Sequence, residues 1–226
     1  MVNFANRFNT SFNRMLNYDD TLEEYILEHI DPEPDHLRRL YRDTHLHHLY
    51  PRMCSGHYQG RLLKMLTSMI KPQRVLELGT FTGYSALSLA EGLGPNCTVD
   101  TIEIDEEKRS ELMATFSESP YASQIHLHIG DALEVIKKLS GPYDLVFIDA
   151  NKRYYLNYLE AVLPLVPVGA FIMADNTLWD TKVVNHGKDS QTEAISEFND
   201  VIAKDCRFEK IILPVRDGLT IMRRVC

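Results

Sequence analysis

Asp149 and Lys152 place a carboxylate and an ammonium within four positions at the end of the apolar run Leu145-Val146-Phe147-Ile148, with Asn151 between them. A run of that kind is at ease only when buried, so the charges stand where a buried segment reaches a cleft. A second junction of the same type, Met173-Ala174-Asp175-Asn176, closes another apolar run. If the two runs are neighbouring strands, Asp149, Asp175 and Asn176 meet as three oxygen donors. Hard divalent cations such as Mg²⁺ take such donors and keep waters that a substrate oxygen can displace. Two clustered aspartates without a cation would repel each other. That favours a metal over the simpler reading, in which each residue caps the element after it. Lys152 beside a cation would lose its proton more easily and would suit a base that takes a proton from a hydroxyl. Its bland role is a surface lysine at a helix start, where the dipole does not favour it.

A second set of candidates surrounds Val75-Leu76-Glu77-Leu78-Gly79-Thr80-Phe81-Thr82-Gly83-Tyr84-Ser85. Gly79 would let backbone come close to a ligand, and Gly83 would open a helix tightly. The spacing G-x-x-x-G lacks the middle glycine that admits a pyrophosphate to a helix N-terminus, and so points to a nucleoside ligand without one. A turn glycine plus a packing glycine explains the pair about as well. Glu77 lies inside an apolar run, where an unpaired charge is costly. Either a cationic ligand group, such as an α-amino group, or an internal salt bridge with an arginine would relieve that cost. Glu103, closing Thr101-Ile102-Glu103, suits the vicinal hydroxyls of a ribose, whereas Asp105 reads as an N-cap. Asp131 reads as half of a capping box with Glu134, with Ala132 beside the ligand. The clusters His45-Leu46-His47-His48 and His126-Leu127-His128 read as structural, a solvated helix end and an alternating strand.

Positioning these residues requires a particular alternation of elements. From Asp20 to about Ile70 the pattern is helical: a capping box Asp20-x-x-Glu23, a second helix near Pro32 and Pro34 with Leu37, Leu40 and Tyr41 on one face, and a third from about Ser55 carrying Leu62, Leu63, Leu66 and Met69. Lys71-Pro72 stops it. Short β-rich runs follow (74–78, 98–104, 124–129, 143–148, 170–174), separated by helical segments, as βαβ units around a parallel sheet require. The runs 208–213 and 219–222 flank a turn and read as a closing antiparallel hairpin. Ligands of such sheets bind beyond the carboxyl ends of the strands, where the candidate residues lie. The expected organisation is a single domain over 1–226, helical over 1–70 and α/β over 71–226.

Composition narrows the classes further. The 226 residues carry 24 Lys and Arg against 32 Asp and Glu, a net charge of −8, which argues against a sequence-independent grip on nucleic acid. The opening MVNFANRFNTSF lacks a signal-peptide core, and the apolar stretch 161–174 is interrupted by prolines and too short to cross a bilayer. Four cysteines without CxxC spacing argue against a disulfide framework or zinc site and fit a reducing cytoplasm.

Six segments, MCSGHYQGRLLKML (53–66), VLELGTFTGYS (75–85), TIEID (101–105), FIDANKRYYLNY (147–158), ADNTLW (174–179) and LPVRDGLTIMRR (213–224), together resemble the cation-dependent O-methyltransferases, the family of caffeoyl-CoA and catechol O-methyltransferase. The resemblance runs from about Arg52 to Arg224. It implies a Rossmann-like class I methyltransferase fold: a mostly parallel seven-stranded sheet, helices on both faces, a C-terminal antiparallel hairpin and an N-terminal helical extension. It implies Asp149, Asp175 and Asn176 as ligands of a divalent cation, Mg²⁺ first and Mn²⁺ or Ca²⁺ as alternatives, with Lys152 as general base. Glu77, Gly79, Thr80, Ser85, Glu103 and Ala132 would line S-adenosylmethionine, with Asp149 at its edge. Met53 and Ser55 would close over the methionine end, and Trp179 would form part of the acceptor wall. A homodimer and a small phenolic acceptor with adjacent hydroxyls are the implied partners. Asn151 stands where the plant caffeoyl-CoA enzymes have an aspartate, Arg153 replaces another, and Gln59 takes the place of a glutamate; these departures leave the triad and the lysine intact while pointing away from the plant substrate. The first fifty residues and 182–191 match less well and are the parts expected to form the acceptor pocket.

In the implied mechanism the cation lowers the hydroxyl pKa, Lys152 removes the proton, and the oxygen attacks the sulfonium methyl in line. Three other readings compete. A tRNA hydroxyuridine O-methyltransferase of the same family would want a basic groove near Arg38, Arg39 and Arg42, and the net charge opposes it mildly. A non-catalytic adenosylmethionine-binding protein is disfavoured by the complete ligand set, and a dinucleotide oxidoreductase by the glycine spacing.

Overall fold

A computed structural model describes residues 20–185 and 189–226. The opening segment, the Asp20 side chain of the expected capping box, and positions 186–188 of the 182–191 stretch lie outside the described residues. Three helices lead in: α1 (Asp20–His29), α2 (Asp35–His47) and α3 (Gly56–Ile70). The core then alternates β1 (Arg74–Leu78), α4 (Tyr84–Glu91), β2 (Thr98–Glu103), α5 (Arg109–Ser117), β3 (Ile125–Ile129), α6 (Ala132–Ile136), β4 (Leu145–Ile148), α7 (Tyr155–Val162), β5 (Phe171–Asp175), α8 (Ser190–Lys204), β6 (Phe208–Leu213) and β7 (Leu219–Arg224). The seven strands pair in the order β3-β2-β1-β4-β5-β7-β6, with β7 antiparallel to both neighbours and the other pairs parallel. This is the expected Rossmann-like architecture with its closing hairpin.

The central strands are apolar throughout because both faces are covered. Leu76, Leu78, Val146, Ile148, Ile172 and Ala174 pack toward Tyr155, Leu159 and Phe198 of α7 and α8. Val75, Leu145, Phe147 and Met173 face the other way, onto Leu63 of α3 and Leu87 of α4. Each fully buried side chain of this size contributes roughly 1.5–3 kcal/mol. Period-two alternation then puts Glu77, Asp149 and Asp175 on the α3–α4 face, each two residues beyond a buried apolar neighbour. Met69 departs from the expected face of α3: it is exposed, while Gln59, Gly60, Leu63 and Thr67 are buried. Two positions past Thr67, at about 100° per residue, Met69 has swung round to solvent. Lys71 ends the helix in the left-handed region at φ 55. Among the described residues no helix is long and apolar enough to cross a membrane, and the four cysteines are free thiols.

Candidate active site

The strand order reverses between β1 and β4, since β1 leads outward to β2 and β3 while β4 returns to its other side. Ligand crevices form at such switch points. Gly79 and Asp149 occupy this one. Gly79 has φ +102, and a Cβ there would lie 2.1 Å from the Asp149 carbonyl oxygen. The two strand ends are therefore in atomic contact, each anchored by its own backbone: the Gly79 N–H donates to Ile102 O at 3.0 Å and the Asp149 N–H to Leu78 O at 2.9 Å. Gly83, at φ +88, opens α4 against the Phe116 ring, 2.6 Å from where its Cβ would stand.

Glu77 is fully buried. No arginine reaches it among the described residues, which removes the salt-bridge alternative. Its Oε2 accepts from the Thr101 hydroxyl, which in turn receives the Thr80 hydroxyl at 2.6 Å. The nearby Ser85 hydroxyl also draws on the carboxyl, yet Oε1 has no hydrogen-bond partner. Burial foremost, then the nearby charges of Asp149 and Glu103, push its pKa up to about 8 against the pull of those hydroxyls. Thr80 thus supports Glu77 with its side chain. Glu103 ends β2 with Oε2 accepting from Phe81 N–H at 2.8 Å and Oε1 from Asp105 N–H at 2.9 Å. Each oxygen keeps a lone pair for a further donor.

On the other side of Gly79, Asp149 and Asp175 follow the paired positions Ile148 and Ala174 of adjacent strands. Lys152 is buried rather than a surface lysine, and its Nζ donates to Asp149 Oδ1 at 2.6 Å. Burial alone would lower the Lys152 pKa, but Asp149, Tyr155 and Asp175 outweigh it and raise it. The readily lost proton expected from the sequence is therefore not a property of this arrangement by itself. Asp175 moves up to about 6, through burial first and then the charge of Asp149. Its Oδ2 accepts from Gln59 Nε2 at 2.6 Å, its Oδ1 from Asn176 N–H at 2.8 Å, and its backbone oxygen from the Tyr155 hydroxyl at 2.9 Å. Asn176 takes φ 57, which turns the chain out of β5, and its side-chain amide has no hydrogen bond among the described residues. Among the described residues no group of three or more His, Cys, Asp and Glu side chains forms a cation site. This set has two carboxylates and would need the Asn176 amide as its third oxygen donor, which suits a hard cation.

Trp179 follows, half-buried against the α7–α8 face, with Nε1 buried and unpartnered. Trp179, Asp180 and Thr181 have φ of 46, 50 and 59, one turn of left-handed chain held where Leu178 N–H and Trp179 N–H both donate to Asp217 O. Ala132 and Ser55 are buried at the heads of α6 and α3, while Met53 is 59% exposed.

The caps behave as read, with one correction. Asp105 accepts from Glu107 N–H, and Asp131 from Leu133 and Glu134 N–H. Glu134 does not reach back to complete a box; its carboxylate pairs with Lys137, because the lysine one turn on offers a full charge. His45 packs at a tilt against the Tyr41 ring, and His48 pairs with Glu111. His128 and, at 3.6 Å, His126 turn to Asp100 on β2.

Gln59, Arg216, Thr101 and Tyr155 belong to the site without having been assigned to it from the sequence. Gln59 did carry a signal: it lies at helical spacing with Gly56, Gly60, Leu63 and Thr67, a buried face on which an amide needs partners.

Comparison with known proteins matches residues 23–225 to the O-methyltransferase family. Caffeoyl-CoA O-methyltransferase of Stellaria longipes is 32% identical over 91% of each chain. Caffeoyl-CoA O-methyltransferase 5 of Nicotiana tabacum is 33% identical, over 91% of this chain and 92% of its own. Among solved structures, the SAH-bound methyltransferase PaMTH1 of Podospora anserina superposes with a TM-score of 0.85 at 26% identity, covering 92% of this chain and 95% of that one. The O-methyltransferase TomG of Streptomyces achromogenes, solved with SAM, gives 0.83 at 26% identity over 91% and 96%. With that extent of sequence match laid over a sheet whose switch point gathers Glu77, Asp149, Lys152 and Asp175, the chain belongs to the O-methyltransferase family that includes the caffeoyl-CoA O-methyltransferases.

Proposed function

We propose that the protein transfers the methyl group of S-adenosylmethionine to one oxygen of a small, catechol-like acceptor with the help of a divalent cation. The observation that carries this is the gathering of Asp149, Lys152 and Asp175 on the same sheet face as a buried carboxylate, Glu77, with an unpartnered oxygen. Glu77 Oε1 fits a cationic α-amino group, and Glu103 fits the paired hydroxyls of a ribose. Gly79, Thr80, Ser85 and Ala132 complete that half, with Met53 and Ser55 above the methionine end and Asp149 at its edge. The SAH bound to PaMTH1 and the SAM bound to TomG support this choice of cofactor.

Asp149, Asp175 and Asn176 are the residues that would hold the cation, Mg²⁺ before Mn²⁺ or Ca²⁺, which would supply Lewis acidity to the acceptor oxygen. The methyl donor would supply a sulfonium methyl in line with that oxygen. Lys152 can accept a proton only once Asp149 and Asp175 are otherwise engaged, because their charges keep its ammonium protonated. Tyr155 fixes the backbone under Asp175, and Trp179 walls the acceptor. Asn151 caps the turn carrying Lys152, accepting from Arg153 N–H at 3.2 Å, so the departure from aspartate leaves that turn in place.

Lys152→Ala should keep cofactor affinity within about twofold and lower kcat on a catechol by at least about 100-fold, the scale of a lost general base. Chelator should abolish wild-type turnover. An unchanged kcat would reject the base, and full activity in chelator would reject the cation.

A further inference from the structure

Gln59 lies at the centre of a relay between the two halves of the site. It is buried in the first turn of α3. Its amide nitrogen donates to Asp175 Oδ2 at 2.6 Å, and its amide oxygen accepts from Arg216 Nη1 at 2.8 Å. The orientation is dictated by chemistry. A guanidinium only donates and a carboxylate only accepts, so a flipped amide would face like against like at both ends.

Arg216 sits in the β6–β7 turn with φ 48. The same Nη1 donates to the carbonyls of Cys54 (3.2 Å) and Ser55, gathering the segment before α3. The Cys54 thiol in turn lies beside Thr82, inside the loop between Gly79 and Gly83, near enough for that hydroxyl to draw its pKa down against the lift of burial. The turn that carries Arg216 also fixes the chain after Asp175: Thr177 N–H donates to Gly218 O at 3.0 Å, and Leu178 N–H to Asp217 O at 2.7 Å. One continuous set of bonds therefore runs from the segment before α3 through Arg216 and Gln59 to Asp175, with Cys54 of that segment set against the glycine loop.

We propose that Gln59, oriented by Arg216, is a positioning residue that aims the Asp175 carboxylate at the cation, and that this relay makes nucleoside and cation binding reinforce each other. The inference rests on the cation reading given above. Ordering the segment 52–55 over a bound nucleoside fixes Arg216, Arg216 fixes the Gln59 amide, and the amide fixes the rotamer of Asp175. Because binding free energies are linked, the cation must tighten the nucleoside by the same factor. A glutamate at this position would keep the bond to Arg216 but set a second carboxylate against Asp175 in place of a donor. The departure from the plant enzymes at position 59 would then change how the cation is held, not the acceptor.

The test is titration calorimetry of the full chain with Mn²⁺, with and without saturating S-adenosylhomocysteine. Wild type should bind Mn²⁺ at least about threefold more tightly when the nucleoside is present. Gln59→Met, which keeps the volume and removes both bonds, should weaken Mn²⁺ about 10-fold or more, the usual scale for a lost outer partner of a metal ligand. It should leave S-adenosylhomocysteine affinity unchanged when no ion is present, and it should erase the tightening. Arg216→Ala, in an exposed turn, should weaken Mn²⁺ by less and also erase the tightening; it decides the matter if Gln59→Met fails to fold. Gln59→Met that binds Mn²⁺ as wild type does, or variants that retain the tightening, overturn the relay alone. Wild type that binds no Mn²⁺, or whose Mn²⁺ binding survives Asp175→Ala, overturns the cation reading and the relay with it.

Discussion

Glu77 and Asp100 are both buried carboxylates on neighbouring central strands, one register position apart: Leu76 pairs with Asp100 and Glu77 with Thr101. They point to opposite faces and meet opposite fates. Asp100 accepts from His128 at 2.8 Å, Tyr143 at 2.9 Å and Arg74 at 3.0 Å. Burial alone would raise its pKa, but those three donors win and hold it at about 2. Glu77 has only hydroxyl donors and one oxygen with none, and it rises to about 8. A charge that serves the fold is neutralised by the fold. The one proposed to serve a ligand is left incomplete in the fold, and the contrast is visible without reference to any relative.

The comparison can be broken most directly at Glu77. A folded pKa raised from 4.5 to about 8 means stability fully present below 4.5 and lost as pH climbs through 8. Over that range the loss is on the order of 4 kcal/mol. Thermal scans of the ligand-free protein from pH 5 to 8 should show this decline, and Glu77→Gln should flatten it while weakening S-adenosylmethionine about 100-fold by calorimetry. A variant with the wild-type pH slope would show that Glu77 is not the titrating group. At Asp100 the sign reverses: its contribution is present above 3.8 and lost as pH falls through about 2. Asp100→Ala should cost about 3 kcal/mol in urea unfolding, because Arg74 and His128 lose their partner, with cofactor affinity unchanged. Weaker cofactor binding in that variant would erase the distinction between the two carboxylates. Thr101→Val is the finest probe. Removing one hydroxyl bond to Glu77 should weaken the cofactor by about fivefold, near 1 kcal/mol, and carry the decline in stability on to higher pH; no change in either would leave Ser85 as the donor that matters.

The same contrast explains what could be read from the chain alone. Strand positions, the hairpin and the convergence of 149 with 175 follow from period-two patterning and from where each run ends, both local properties. Glu77 announced itself because a carboxylate inside an apolar run has no bland explanation other than a partner. Which partner was not legible, since Thr80 and Ser85 follow it closely while Thr101 comes from another strand. Gln59 and Arg216 escaped for a related reason. Each is an ordinary polar residue in its own segment, and their meaning arises from a bond across 157 positions. Met69 was misplaced because leucine-rich helices blur the edge of the buried stripe. That Asp149 and Asp175, from different strands, together hold the Lys152 ammonium protonated was not legible in its own segment.

The left-handed turn at Trp179–Thr181 has a consequence for how the proposed acceptor wall can change. Each of these three non-glycine residues holds a conformation that costs an L-amino acid roughly 1–2 kcal/mol. The turn is tethered at one end to a single carbonyl, that of Asp217. It resembles a wound spring clipped at one point, outside the sheet and just after Asp175 and Asn176. New side chains there, or glycines that release the tension, can reshape this edge of the cleft while the strands beneath stay as they are.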